Sequence, residues 1–334
     1  MVPIAPSATT TREARAFRKV STMTKLSLLT APLPAPDSVP VMSVPAIRTI
    51  EVSDGAVLTL RTWRESSVKQ VPILLLHGLS QQGQFWAPVV ARLRAGTVAA
   101  LDQRGHGSSD VPADFDFTIT RCAHDVAETC AALGWDTVQL VGHSWGASVA
   151  VCAAARYPTT FSALTLIDGG LWGPRDMAEE IGRGETLERL RPPTFAMSPE
   201  ELWPLLASGA MGECWTAETQ DALAPTFRLG DDGLLRSTLG LERHLRVLEG
   251  MLDYSSDADL ERINRPIWAV LCEGSANAIQ ERALIRAASN PQIRLQRWQG
   301  AIHDVPLQWP AMVAGLIDTM VETECTASQK GASS

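Results

Sequence analysis

An α/β fold, with a mostly parallel sheet covered by helices on both faces and broken once by a helical insertion, follows from three observations. Short, uninterrupted apolar runs recur at Val71–Leu76, Thr97–Leu101, Val138–Val141, Ala163–Ile167 and Ile267–Leu271. Such runs suit strands buried on both faces, as parallel strands are. Helical patterns lie between them, and this alternation is the signature of a parallel sheet with helices above and below. The rhythm stops over residues 171–260, which hold no buried-strand run but several helical pieces with Pro192, Pro193, Pro199, Pro204 and Pro225 at or between their ends.

Order is expected to begin near Pro45. Residues 47–53 and 56–63 alternate around Asp54-Gly55, a turn dipeptide that accepts positive φ, and so predict a hairpin. Between the later strands, Ile119, Cys122, Ala123, Val126, Ala127, Cys130 and Leu133 form an apolar stripe at helical spacing, with Gly134 as its stop. Further helices are expected at about 145–156 and 308–321, and a short strand at Ile293–Trp298. The expected organisation is a disordered extension at 1–45, a core at 46–170 and 261–323, a helical cap at 171–260 and a disordered tail at 324–334. No internal repeat is seen.

Composition narrows the function. The 334 residues are 45% hydrophobic and 20% charged, enough apolar content for a sizeable core. A net charge of −8 disfavours nucleic acid and anionic membranes as partners. The six cysteines (Cys122, Cys130, Cys152, Cys214, Cys272 and Cys325) include no C-x-x-C pair, so no metal site is expected. Scattered thiols, three of them in apolar runs, fit a reducing, cytoplasmic setting. No stretch has the roughly 18–20 apolar residues a membrane span needs. The N-terminus carries Arg12, Arg15, Arg18, Lys19 and Lys25, but the apolar run that follows is soon broken by Pro32, Pro34 and Pro36, a poor signal peptide. Its Ser, Thr, Ala and Pro content reads as a disordered extension, and Met23 or Met42 would each serve as a later start.

The chemistry centres on Gly142-His143-Ser144-Trp145-Gly146, which joins the strand at Val138–Val141 to a small-residue helix. In G-x-S-x-G between strand and helix, the serine sits on a sharp turn that lifts its hydroxyl above the sheet edge. Glycines on either side relieve the crowding, and the helix N-terminus favours developing negative charge. Ser144 is therefore the expected nucleophile. A serine hydroxyl needs a base. Of the histidines His77, His106, His124, His143, His244 and His303, only His303 follows a late strand and its loop, far downstream of the serine; the other five read as structural. An oxyanion hole takes one N–H from the residue after the nucleophile and one from an early strand-to-loop turn, here the amides of Trp145 and Leu79.

Taken in order, His77-Gly78, Asp102-Gln103-Arg104-Gly105-His106-Gly107-Ser108-Ser109, Gly142-His143-Ser144-Trp145-Gly146 and His303-Asp304-Val305-Pro306 resemble the α/β-hydrolase superfamily over about residues 46–322. The resemblance implies an eight-stranded, mostly parallel sheet with helices on both faces and a helical cap. It also exposes a departure. Most relatives carry the triad acid as an aspartate just past the strand after the cap, where this chain aligns Ser275. Two substitutes stand open. Asp168 ends the strand before the cap, the place from which certain lactonases and the haloalkane dehalogenases take their acid, and Gly169-Gly170 would let the chain turn there. Glu273 lies in the usual loop, two residues early. Asp168 is the preferred acid, with Glu273 as the alternative.

The expected activity is hydrolysis of a small or medium hydrophobic carboxylic ester, lactone or thioester through an acyl-enzyme on Ser144, with no cofactor. The cap residues Trp172, Trp203 and Trp215 point equally to an apolar pocket or to plain packing. A serine nucleophile argues against epoxide hydrolase and haloalkane dehalogenase chemistry. A carbon–carbon bond hydrolase, a water-excluding acyltransferase or cyclase, and a non-catalytic binding protein on the same fold remain as alternatives. Nothing in the sequence speaks to oligomeric state.

Overall fold

Short apolar runs become strands here because each has two faces to bury. In the computed structural model, which describes residues 44–332 apart from 67–69, 95, 113, 193–195, 210 and 274–276, the strands are β1 (Ala46–Glu51), β2 (Val57–Arg64), β3 (Ile73–Leu76), β4 (Val98–Asp102), β5 (Val138–His143), β6 (Phe161–Ile167), β7 (Phe227–Leu229), β8 (Leu235–Ser237), β9 (Ile267–Cys272) and β10 (Ile293–Trp298). Eight of them form one sheet in the order β1-β2-β4-β3-β5-β6-β9-β10. Within this sheet the β1–β2 and β2–β4 pairings are antiparallel, and the pairings β4–β3, β3–β5, β5–β6, β6–β9 and β9–β10 are parallel. Alternate residues of the central strands feed separate cores. From β3, Leu74 and Leu76 enter one cluster while Ile73 and Leu75 enter the other; from β9, Ile267, Ala269 and Leu271 part from Val270 and Cys272 in the same way. A strand with an apolar layer on each side has no polar face to show, which is why these segments read as unbroken runs.

The main core helices are α1 (Ile119–Ala132) and α2 (Trp145–Arg156). Thr118 caps α1 by accepting the Arg121 N–H at 3.2 Å, and Gly134 follows its end at φ +67°. The stripe residues Ile119, Cys122, Ala123, Val126 and Cys130 are buried, as their spacing requires. Helix α2 is buried over nearly its whole length, and its Gly146, Ala147 and Ala150 let it lie close against the sheet.

Residues 171–260 contain α3 (Pro174–Ile181), α4 (Arg183–Arg189), α5 (Pro199–Ser208), α6 (Ala217–Leu223), α7 (Gly240–Asp253) and the start of α8 (Asp257–Arg262). The insertion also holds the β7–β8 ribbon, which pattern reading misses because three-residue, largely exposed strands carry no alternation. The chain ends with α9 (Asn277–Ser289), α10 (Val305–Gln308) and α11 (Pro310–Ala332). The last helix runs beyond the tail boundary expected at 324. Between Gly315 and Gly331 it contains no proline or glycine, so its backbone hydrogen bonding continues past the last apolar-patterned turn. The N-terminal extension expected at 1–45 lies, but for its last two residues, outside the described residues, as does Ser275. No described helix is long and apolar enough to cross a membrane.

An elbow glycine and the hairpin glycine make a testable contrast. A Cβ on Gly146 would lie 2.5 Å from the Leu76 carbonyl oxygen, backbone that cannot give way; one on Gly55, at φ +83°, would meet nothing. Gly55→Ala is expected to cost about 1 kcal/mol from conformation alone. Gly146→Ala is expected to cost about 3 kcal/mol or more from overpacking. Denaturant unfolding of the two variants checks the order.

Candidate active site

Strand β5 ends at His143, and Ser144 turns the chain into α2 with φ +53° and ψ −118°, a conformation that only a well-held backbone sustains. The hold is visible: the Ser144 N–H donates to the Ile167 carbonyl at 2.9 Å. Glycine is required around it. A Cβ on Gly142 would strike the Gly146 carbonyl, and one on Gly169 the Ser144 backbone. The elbow and the end of β6 are thus packed backbone to backbone, and this brings the residue after Ile167 beside the serine.

That residue is Asp168, itself at φ +45° and with no exposed surface. Its Oδ2 lies 2.6 Å from His303 Nδ1, and its Oδ1 accepts the Cys272 N–H at 3.0 Å. The His303 Nε2 lies 3.0 Å from Ser144 Oγ. A carboxylate only accepts, so Nδ1 carries the hydrogen, leaving the Nε2 lone pair toward the serine hydroxyl. Burial alone would lower the His303 pKa, but the bond to Asp168 and the charges of Asp304 and Asp168 outweigh it and leave the pKa above the ordinary 6.5. The imidazole keeps 48% of its side chain exposed, open to an incoming molecule.

Glu273 does something else. Its Oε2 accepts the Gly300 N–H at 3.2 Å. Gln308 binds the same loop twice, accepting from the Ile302 N–H at 2.8 Å and donating to the Gly300 carbonyl at 2.9 Å. Asp304 accepts from Gln81 Nε2 at 3.3 Å.

The loop after β3 brings Gly78 against the elbow; a Cβ there would lie 3.2 Å from that of Ser144. The N–H groups of Leu79 and Trp145 find no acceptor among the described residues. Buried histidines hold this loop. The Gln103 N–H donates to His77 Nε2 at 3.0 Å, and Gln103 Nε2 donates to the His77 carbonyl at 2.7 Å. The Ser80 N–H donates to His106 Nε2 at 3.2 Å, and the His106 ring stacks on Trp145 with centroids 4.8 Å apart. Burial pushes the pKa of both rings down to about 3, so they stay neutral acceptors at ordinary pH. Ser80, at φ +66°, also places its hydroxyl 2.9 Å from Nδ1 of His244 on α7, which ties the loop to the insertion. Under the loop, Asp102 takes a bidentate pair from Arg61 at 2.9 and 2.8 Å together with the N–H groups of Gly83 and Ser108.

Sequence pattern gave no sign of these long-range pairings of His77, His106 and His244, nor of Glu273 and Gln308 as clamps of the base loop; burial beside glycine was the only hint. Of the tryptophans in the insertion, the Trp172 ring comes within 6.4 Å of that of His303, while Trp203 packs on Trp215 and Phe227. Among the described residues no group of three or more His, Cys, Asp or Glu is placed to hold a metal ion. The Cys272 thiol, beside Asp168, is pushed well up by burial and by the carboxylates near it, and so stays protonated.

Comparison with known proteins agrees with this architecture. The α/β-hydrolase fold family matches residues 71–196. A Shigella flexneri protein named "Putative carbamate hydrolase RutD" is 30% identical over 202 residues, covering 59% of this chain and 71% of that protein. In structure, an E-2-(acetamidomethylene)succinate hydrolase superposes with a TM-score of 0.69 at 23% identity, over 83% of this chain and 99% of that one. The peroxisomal α/β-hydrolase Lpx1 of Saccharomyces cerevisiae does so with a TM-score of 0.67 at 17% identity, over 84% and 85%. The chain belongs to the α/β-hydrolase family, and its activity is that of a hydrolase.

Two carboxyl-to-amide changes separate the acids. Asp168→Asn is expected to lower kcat by about 10³–10⁴-fold, because an amide no longer holds the Nδ1–H tautomer. Glu273→Gln, on the exposed side of the loop, is expected to stay within about twofold. The pH profile carries a second prediction. His303 must be neutral to take a proton, so kcat/KM should fall as pH drops through its pKa. That acid limb should be centred above 6.5, the side to which the pKa is shifted. Initial rates from pH 5 to 9 locate it.

Proposed function

We propose that this chain is a serine hydrolase acting on a small or medium, largely apolar carboxylic ester, lactone or thioester. The observation that carries the proposal is the continuous line of hydrogen bonds from Ser144 Oγ through His303 to buried Asp168, beside two uncommitted backbone N–H groups. In this reading Ser144 Oγ attacks the carbonyl carbon while His303 Nε2 takes its proton. The carbonyl oxygen, now an anion, is held by the Leu79 and Trp145 amides. His303 then gives the proton to the leaving oxygen. A water, activated by the same ring, attacks the acyl carbon and releases the acid and Ser144. Asp168 stays ionised throughout and stabilises the imidazolium. Residues 171–260 form the cap over this site, with Trp172 as the apolar wall nearest His303.

A second reading is favoured by the likeness to RutD. A carbamate carbonyl lies between an oxygen and a nitrogen, and cleavage on the nitrogen side requires that nitrogen to be protonated as it leaves. The same residues serve, with more demand on His303 as acid.

A fluorophosphonate should label Ser144 in the wild-type protein and not in Ser144→Ala; absence of wild-type labelling would contradict every acyl-enzyme reading. Turnover should fall on the order of a million-fold in Ser144→Ala and in His303→Ala. A panel of nitrophenyl esters, thioesters, lactones, carbamates and a dienoic diketo acid decides which bond is cleaved. Faster turnover of the carbamate than of its matched ester would favour the second reading, and turnover of the diketo acid alone would overturn both.

A further inference from the structure

We infer that His143 is a positioning residue for the base: its Nε2–H holds the backbone carbonyl of His303 and so fixes the imidazole over Ser144. The inference rests on the acyl-enzyme reading of the site. His143 ends β5 next to the serine and is only 1% exposed. Its Nε2 lies 2.8 Å from the His303 carbonyl oxygen. Its ring stacks on Phe85 with centroids 5.2 Å apart and planes 18° from parallel, so the donor points in a fixed direction.

The other ties on the base loop come from elsewhere. Glu273, after β9, holds the Gly300 N–H, and Gln308, on α10, holds Gly300 and Ile302. These fix the loop from its outer side. Among the described residues, only the His143 bond joins the His303 backbone to the nucleophile's own strand. It therefore sets the base's position relative to the atom from which it must take a proton.

The tautomer follows from the partner. A carbonyl oxygen only accepts, so Nε2 carries the hydrogen and Nδ1 is bare. That Nδ1 is buried with no hydrogen-bond partner among the described residues. An unpartnered buried acceptor is unfavourable. A phenyl ring would fill the same space without that cost, so what the histidine adds is its one bond. Burial and the neighbouring His303 push the His143 pKa down to about 3. The ring thus stays neutral when His303, whose centroid lies 5.0 Å away, takes its positive charge.

The test uses three variants of the full chain, each checked by thermal melting. His143→Phe keeps the ring and removes the donor. His143→Asn carries its amide too close to the backbone to reach the carbonyl. His143→Gln places an N–H near the position of Nε2. Loss of the tie should lower kcat by about 10- to 100-fold in the Phe and Asn variants, the usual penalty of a small misplacement, with KM little changed. Fluorophosphonate labelling of Ser144 should slow in proportion, and the Gln variant should recover most of the loss. By NMR titration, the His303 pKa should fall from its raised value toward 6.5 in the Phe and Asn variants, as the ring moves off Asp168, and stay raised in Gln. A Phe variant labelled as fast as wild type, or a Gln variant as slow as Phe, would overturn the inference. If the wild-type protein is not labelled at all, the hydrolase reading fails, and the His303 titration still decides whether His143 positions the ring.

Discussion

A 2.6 Å hydrogen bond between the His303 ring and the buried carboxylate of Asp168 ties together parts of the chain that are 135 residues apart, and most of the site's geometry depends on it. An ionised carboxylate with no exposed surface is stable only if its lone pairs are occupied. One oxygen takes the Cys272 N–H and the other the imidazole. Asp168 can occupy this place because β6 and β9 are parallel neighbours and β9 runs two residues past the Ile167–Val270 pair that ends β6, which sets the Cys272 N–H beside the carboxylate. Gly169 lets the turn after β6 lie directly on the Ser144 backbone. The sheet thereby delivers Ser144 and Asp168 from adjacent strand ends, and the loop after β10 has only to drop the His303 ring between them.

The opposite side of the serine is built from neutral groups. His77 and His106 would lose their acceptor nitrogens if protonated, and burial keeps them unprotonated. They clamp the loop that carries the Leu79 N–H, while Trp145 gives a stacking surface for His106 and is proposed to supply the second donor. Donors fixed in advance need little reorganisation when a negative oxygen forms between them. The charged pair of Arg61 and Asp102 lies beneath this loop.

What the sequence revealed follows from the range of each interaction. The central strands and α1 were legible because burial on two faces, or on one helical stripe, leaves a local period. Ser144 and His303 were legible because the elbow and the late loop have local chemistry of their own. The choice between Asp168 and Glu273 had no local signature: it depends on which strand end lies under the imidazole, a property of sheet order. The pairings of His77, His106 and His143 were hidden for the same reason, each joining residues on separate loops. The β7–β8 ribbon was too short to show alternation, and the continuation of α11 past residue 323 owed nothing to apolar patterning.

The most direct test of this account is the proton on His303 Nδ1. Held 2.6 Å from a buried carboxylate, it should appear in the proton NMR spectrum as a single resonance far downfield of the amides. It should be present in the wild-type protein and in Glu273→Gln, and absent from Asp168→Asn. A downfield proton that survives in Asp168→Asn and disappears in Glu273→Gln would show that the imidazole is oriented from the other strand, and would contradict the arrangement on which the site has been built.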